Sequence, residues 1–151
     1  MKDILQAIQS TLQGSPTLSY VGDSVIVVEI QNDTVPAHGA FPMITLNDGG
    51  AEREREWVGN SSGFLSKEKV LINLWQVLLE DDKSLVGSGS TKGVLDLEAD
   101  VNTILHCNTL SLASVLDAYC EESGESQMVV LGDLAVVRKT LNYTYLKLEV
   151  K

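Results

Sequence analysis

The chain has 151 residues, 44% of them hydrophobic and 21% charged, so it can bury one ordinary core but not the cores of two domains. Its 21 acidic and 11 basic side chains give a formal charge of −10, which argues against a broad surface for nucleic-acid phosphates. Most of this charge lies in residues 80–133, which hold 11 acidic and 2 basic side chains, whereas residues 134–151 are locally basic.

Membrane and secretion signals are not evident in the sequence. No apolar run reaches the roughly 20 residues of a spanning helix. The opening Met1-Lys2-Asp3-Ile4 lacks the basic and apolar blocks of a secretion signal. We therefore expect a soluble protein that is intracellular when made and has no membrane partner. Cys107 and Cys120 form no CxxC pattern, and we expect both to be reduced and structural.

The first third of the chain predicts one helix and one or two strands. A helix over residues 3–13, ended by Gly14, follows from the 3.6-residue spacing of its apolar residues Ile4, Leu5, Ile8 and Leu12. The β-branched run at 25–28 indicates a strand or a buried extended segment. Prolines and glycine make residues 32–42 irregular.

A charged hairpin is predicted next. Residues 41–47 have the composition of a strand, and the Asn47-Asp48-Gly49-Gly50 cluster is typical of a hairpin turn. The returning residues 51–57 alternate in charge sign, so neither face of that strand suits a core. We therefore expect a hairpin at about 47–68 that projects from the body.

The remainder of the chain predicts a central strand, a second principal helix and two further strands. Residues 69–79 are apolar on both faces, which favours the middle of a sheet. Residues 80–93 are predicted to be a mobile loop, the helix begins at Val94, and a short helical stretch over 110–120 precedes an acidic turn at 121–126. Strands follow at 128–131 and 134–150. This order predicts a single α+β domain whose mostly antiparallel sheet carries two principal helices on one face.

Sequence patterns that indicate a catalytic or ligand-binding site are weak throughout the chain. Residues 87–93 resemble a phosphate-binding loop only superficially, because Thr91 precedes Lys92 and Gly93 follows it. Asp96, Glu98 and Asp100 open like a calcium loop but lack its later glycine and glutamate, so we expect an acidic first helical turn and no metal.

Histidine and cysteine leave one enzymatic alternative open. His106 adjoins Cys107, but neighbouring helical residues point about 100° apart, which prevents shared chelation. A nucleophilic pair of Cys107 or Cys120 with His38 remains conceivable. We nevertheless expect no catalytic, metal or cofactor site.

Aromatic residues are candidates for contacts between proteins. Trp57, Phe64 and Trp75 could anchor a partner, since aromatic side chains are enriched at interfaces. Core packing is favoured for Trp75, which lies in an apolar strand. For Trp57, at the end of the charged arm, a subunit contact and a local cap both remain open.

The arrangement of these segments resembles the tail terminator, or tail completion, proteins of tailed bacteriophages. The resemblance is carried by the helix at 4–12, by Phe41-Pro42-Met43-Ile44-Thr45-Leu46, and by the arm Arg53-Glu54-Arg55-Glu56-Trp57-Val58-Gly59-Asn60. The strand at 70–78, the helix from Gly93-Val94-Leu95-Asp96-Leu97-Glu98 onward and the strand at 141–150 complete the order. It spans most of the chain, but it rests on arrangement rather than on a diagnostic motif.

The resemblance implies a structural virion protein without enzymatic activity or cofactor. Such a subunit would form a hexameric ring at the head-facing end of the tail tube, stop tube polymerisation and present a surface to the head connector. DNA would pass through without specific binding. It would assemble in the host cytoplasm and remain in the virion, in the tail or neck. The alternatives are another neck subunit, such as a head-tail joining or head-completion protein, and a small cytosolic Cys/His enzyme.

Two sets of residues are predicted to serve this assembly. The alternating charges of the arm suit contacts with the next subunit of a ring, and we assign them to Arg53, Glu54, Arg55, Glu56 and Trp57. An acidic lining would repel sliding DNA, and we assign that role to Glu80, Asp81 and Asp82.

Overall fold

A computed structural model describes residues 1–27, 40–54, 57–58, 61–78, 81–131 and 133–150. Its helices are α1 (Lys2–Gln13), α2 (Asp81–Leu85) and α3 (Val94–Leu105). Its strands are β1 (Val25–Val27), β2 (Met43–Glu54), β3 (Trp57–Val58), β4 (Ser61–Val77), β5 (Val115–Ser123), β6 (Gln127–Leu131) and β7 (Leu134–Val150). Two short 3₁₀ turns, Pro16–Leu18 and Gly22–Ser24, join α1 to β1.

The strands form one sheet in the order β1-β2-β4-β7-β5, in which β6 extends the β5 edge by pairing with the first part of β7. The β1–β2 pair is parallel and the other pairs are antiparallel. β4 lies in the middle, as its two apolar faces predict. The predicted strand at 134–150 and the α+β class with a mostly antiparallel sheet are confirmed.

The main core lies between one face of the sheet and the two longer helices. α1 contributes Ile4, Ile8 and Leu12, and α3 contributes Val94, Leu97, Val101 and Leu105, all of them fully buried. They pack against strand side chains that point to the same face of the sheet, since alternate residues of a strand share a face. These side chains include Val70, Ile72, Leu74, Leu141, Tyr143 and Tyr145. Each such aliphatic side chain stabilises the fold by about 1.5–3 kcal/mol on burial. Both helices lie where the sequence predicts them.

The predicted hairpin turn at Asn47–Gly50 is wrong. β2 continues through these residues to Glu54, and the register moves from Asp48 opposite Val70 to Ala51 opposite Glu68. Gly49 and Gly50 therefore both face Lys69, which is the geometry of a β-bulge. Gly50 adopts φ +90°, and its amide donates to the Asp48 carboxylate at 2.7 Å. The glycines that suggested a turn allow this extra residue. The chain reverses only after β3, where Val58 pairs with Ser61 at the start of β4.

Three other predicted segments also differ from the structure. Residues 115–120 belong to β5 and not to a helix, because they complete the sheet beside β7. The predicted acidic turn begins only after Ser123. Residues 81–85 form α2 within the predicted loop, and Ser88 bonds to Thr91 in a tight turn. Residues 28–39, including the end of the predicted first strand and His38, lie outside the described ranges.

Candidate assembly surfaces

The sheet has a second face that carries a smaller apolar cluster and a row of polar side chains, here called the polar face. The cluster consists of Met43, Trp75 and Val136, with Phe41 and Val129 against it, and contains no helix residue. Trp75 is 2% exposed, so the prediction that it packs in the core is confirmed. Arg138 lies over the Trp75 ring, 5.7 Å from its centroid, which favours the cation through the ring quadrupole.

Buried amide and hydroxyl groups connect β2, β4 and β7 on the polar face. The Trp75 indole donates to Thr45 Oγ1 at 3.0 Å. Asn73 donates to Asn47 Oδ1 at 2.9 Å and accepts from the Thr140 hydroxyl at 2.6 Å. A one-residue slip of any strand would break these bonds and leave polar groups buried without partners. The network therefore fixes the register of the three strands.

The predicted arm lies in β2 and β3, which both pair with β4 and both precede the chain reversal. Arg53 is exposed on β2 opposite Ser66, and Glu54 ends that strand opposite Leu65. Trp57 lies in β3 opposite Ser62. Arg55 and Glu56 lie outside the described ranges, as do the side-chain positions of Glu54 and Trp57. The arm's role between subunits, and its projection from the body, remain predictions.

The sheet near the arm carries its own charge pairing. The Lys69 ammonium lies 2.7 Å from Glu52 across β4 and β2. This hydrogen bond lowers the pKa of the Glu52 carboxyl and raises the pKa of Lys69. Both groups are solvent-exposed, so the pair contributes little to stability. It does neutralise Glu52 beside the exposed Arg53.

The predicted channel acids fall at the start of α2. Asp81 and Asp82 are its first two residues, and their side chains lie outside the described set, as does Glu80 altogether. Their orientation toward a channel therefore remains a prediction.

A cluster of ionisable side chains near Cys120 provides a test of the enzymatic alternative. Lys139 lies 3.5 Å from Glu98 and donates to the Gly124 carbonyl at 2.7 Å. Glu98 also accepts from the Ser123 hydroxyl. Burial, followed by the charge of Glu98, raises the pKa of the Cys120 thiol, which keeps it protonated and a poor nucleophile. These bonds instead tie the β5–β6 connection to α3.

The two loop patterns that suggested ligands are used internally. The Gly93 amide donates to Asp96 Oδ2 at 3.0 Å, so this side chain takes an amide that a phosphate would need. Asp100 accepts from the Tyr20 hydroxyl at 2.7 Å and lies 3.5 Å from Lys92. Among the described residues, no group of three or more His, Cys, Asp or Glu side chains is placed to hold a metal ion.

The β6–β7 hairpin is a feature that the sequence does not reveal as a surface. Met128, Val130 and Leu134 are 63%, 58% and 38% exposed. A short apolar run such as 128–131 ordinarily indicates a buried strand. Among the described side chains of this run, only Val129 reaches an apolar cluster. The exposure of Met128 and Val130 follows from their place at the sheet edge.

Comparisons with known proteins include a structural match to a virion protein. No helix in the described ranges is long and apolar enough to cross a membrane. No protein-family model matches the chain, and no curated protein matches its sequence. A chain from the solved virion of a native gene transfer agent particle is similar in structure, with a TM-score of 0.55 and 12% sequence identity. The match covers 95% of this chain and 92% of that chain, so the two share a fold over nearly their full lengths.

Proposed function

We propose that this chain is a structural virion protein of the tail terminator kind. Six copies form a ring at the head-facing end of a tail tube, stop its polymerisation and provide the surface that joins the head. Its partners are other copies of itself, the tail tube protein and a head connector or neck protein. The protein assembles in the host cytoplasm, remains in the tail or neck and performs no catalytic step.

The observation that carries this proposal is the fold shared with a chain of a gene transfer agent virion, over 95% of the present chain. Fold alone does not fix function. The surfaces support the same conclusion, because exposed apolar side chains on an edge strand are suited to contact with other subunits. The raised pKa of the Cys120 thiol argues against nucleophilic chemistry at that residue.

Within the ring, the arm from Arg53 to Trp57 contacts the next subunit. Such contacts are heterologous, and heterologous contacts close into rings. Glu80, Asp81 and Asp82 face the channel and repel DNA phosphates as the genome slides past. Neutralising these three acids is expected to slow genome ejection, and an unchanged ejection rate would remove their assigned role.

The proposal is tested by imaging and by mass. Negative-stain microscopy of the purified protein, combined with native mass spectrometry, is expected to show rings of six copies. Added to polymerising tail tube protein, these rings should shorten the tubes in proportion to their concentration. A strictly monomeric species that stays monomeric with tail tube protein and leaves tube length unchanged would contradict the proposal.

A head-tail joining or head-completion protein would share the virion context but differ in phenotype. Deleting the gene of a terminator yields tails of uncontrolled length. Deleting the gene of a joining protein yields tails of normal length that fail to attach to heads. The length distribution of tails from such a deletion therefore separates the two roles.

A further inference from the structure

The outer edge of β6 is open and apolar. β6 pairs with β7 on one side, and no described strand pairs with its other side. All five of its residues, Gln127–Leu131, are uncharged. Met128 and Val130 lie two positions apart, so they point to the same face, and both are more than half exposed. An open strand edge of this composition is a template for another strand.

Neighbouring edges of the same sheet are protected by groups of this chain. On β2, Asp48 takes the Gly50 amide at the bulge, and Glu52 and Arg53 place charges on the strand. On β5, the Cys107 amide donates to the Ala118 carbonyl at 2.7 Å, and Glu121 and Glu122 are exposed. In the part of the chain that the structure describes, no such turn or charge protects β6 itself.

We propose that a second copy of this chain adds a strand to the outer edge of β6, in a head-to-tail arrangement. The inference rests on the ring proposed above and names one of the surfaces that hold it together. Backbone hydrogen bonds would extend the sheet from one copy into the next, and the added strand would cover Met128 and Val130.

Charge selects the head-to-tail arrangement over a two-fold one. If β6 paired antiparallel with itself about Val129, Glu125, just before β6 in one copy, would come near Asp133, in the turn after β6 of the other copy. Both side chains are exposed and acidic, so their repulsion opposes this pairing. A strand from a different part of the second copy avoids this opposition.

Strand direction indicates which side of the second copy supplies that strand. β1, β2 and β7 run one way and β4, β5 and β6 run the other. A second copy that is related to the first by rotation about an axis parallel to the strands keeps these strand directions. Its β1 and β2 therefore run antiparallel to β6 of the first copy. β1 is a short run of uncharged β-branched residues, Val25–Val27, which suits an apolar partner. Gln9 and Gln13 bond the carbonyl of its first residue, so pairing would use the backbone of Ile26 and Val27.

The test is a double substitution, Met128→Lys with Val130→Lys, measured by sedimentation equilibrium of the full chain. Both sites are exposed, so the fold should be retained, which far-ultraviolet circular dichroism would check. Lysine on an edge strand opposes further pairing, and the dissociation constant between copies is expected to rise at least tenfold. The matched control is Val86→Lys, which replaces a residue of similar exposure, 61%, that follows α2, and should leave assembly unchanged.

The outcomes separate this inference from the proposed function. Wild-type rings with an unaffected double variant would overturn the β6 contact and leave the ring intact. An equal loss of assembly in the Val86→Lys control would overturn it too, since the effect would not be specific to β6. A wild-type chain that never assembles would overturn both. Finally, Val129→Cys, with Cys107 and Cys120 replaced by serine, should give no disulfide-linked dimer, whereas efficient linkage would show two-fold pairing.

Discussion

Asn73 is the residue through which β2, β4 and β7 are bonded together on the polar face, and replacing it by alanine should destabilise the fold clearly. Its side chain is 5% exposed, donates to Asn47 at 2.9 Å and accepts from Thr140 at 2.6 Å. Asn73→Ala removes both bonds at once. It also leaves the Asn47 carbonyl oxygen, in a residue only 3% exposed, with one partner fewer.

The expected magnitude follows from these two bonds. A buried hydrogen bond contributes about 0.5–1.5 kcal/mol, and a polar group left unsatisfied costs about 1–3 kcal/mol. The Thr140 hydroxyl can turn toward another acceptor, so losing its bond to Asn73 costs an amount at the low end of the hydrogen-bond range. We therefore expect Asn73→Ala to lower the free energy of unfolding by about 2–4 kcal/mol, a large part of the stability of a small domain.

Urea unfolding at one fixed protein concentration measures this loss, since association between copies would otherwise change the apparent stability. The control is Thr103→Ala, whose exposed hydroxyl bonds only the Ala99 carbonyl within α3 and should shift stability by less than about 0.5 kcal/mol. A double-mutant cycle with Thr140→Val should show coupling between the two sites. A loss below about 0.5 kcal/mol for Asn73→Ala would refute the role given to the network.

Other substitutions test separate parts of the structure. The Tyr145 hydroxyl is buried without a hydrogen-bond partner in the described structure, so Tyr145→Phe should keep or raise the free energy of unfolding measured in urea. Tyr143→Phe removes a hydrogen bond to Asn102 and should lower that free energy by about 1 kcal/mol. Equal losses would contradict this contrast. Gly93→Ala would place a Cβ 2.5 Å from the Leu85 carbonyl oxygen and should lower the free energy of unfolding by about 1–3 kcal/mol. Gly89→Ala, whose Cβ would have nothing within 4 Å, should leave the melting temperature nearly unchanged. Because burial raises the pKa of Cys120, its alkylation in a Cys107→Ser variant should require a pH above the usual thiol value of about 8.5. The part of the unfolding free energy that is linked to this thiol is present below that pH and is lost as the pH rises through the raised pKa. Alkylation that is already maximal at neutral pH would contradict the raised pKa of Cys120.

The sequence predicts the elements whose patterns are long and regular. The helices α1 and α3 follow from apolar residues at helical spacing, and β7 follows from a long stretch with strand composition. The central position of β4 follows from its two apolar faces. In each of these elements the buried side chains recur at the spacing of the helix or strand itself, so the local sequence pattern and the tertiary packing agree.

Predictions fail where a local signal has two structural uses. Two glycines after Asn47-Asp48 are typical of a hairpin turn, but here they form a bulge, because pairing with β4 continues on both sides of it. Residues 115–120 carry few strand residues, yet β7 offers them a free edge, and pairing decides their conformation. The exposure of Met128 and Val130 depends on sheet order, which no local window contains.

The energetics of β6 indicate how its contact must combine with the arm. Fully burying a methionine or valine side chain contributes about 1.5–3 kcal/mol, so complete covering of the 63% and 58% exposed fractions of Met128 and Val130 contributes at most about 2–4 kcal/mol together. Association costs an estimated 4–15 kcal/mol in lost freedom of motion, so this apolar contribution cannot hold two copies together alone. Strand hydrogen bonds and the arm must supply the remainder. The β6 substitutions and Arg53→Glu should therefore each weaken assembly, and because the sites are far apart on the sheet their effects should add. If Arg53→Glu alone abolished assembly while the β6 substitutions changed nothing, the arm would be the whole interface and β6 would have to meet a different protein.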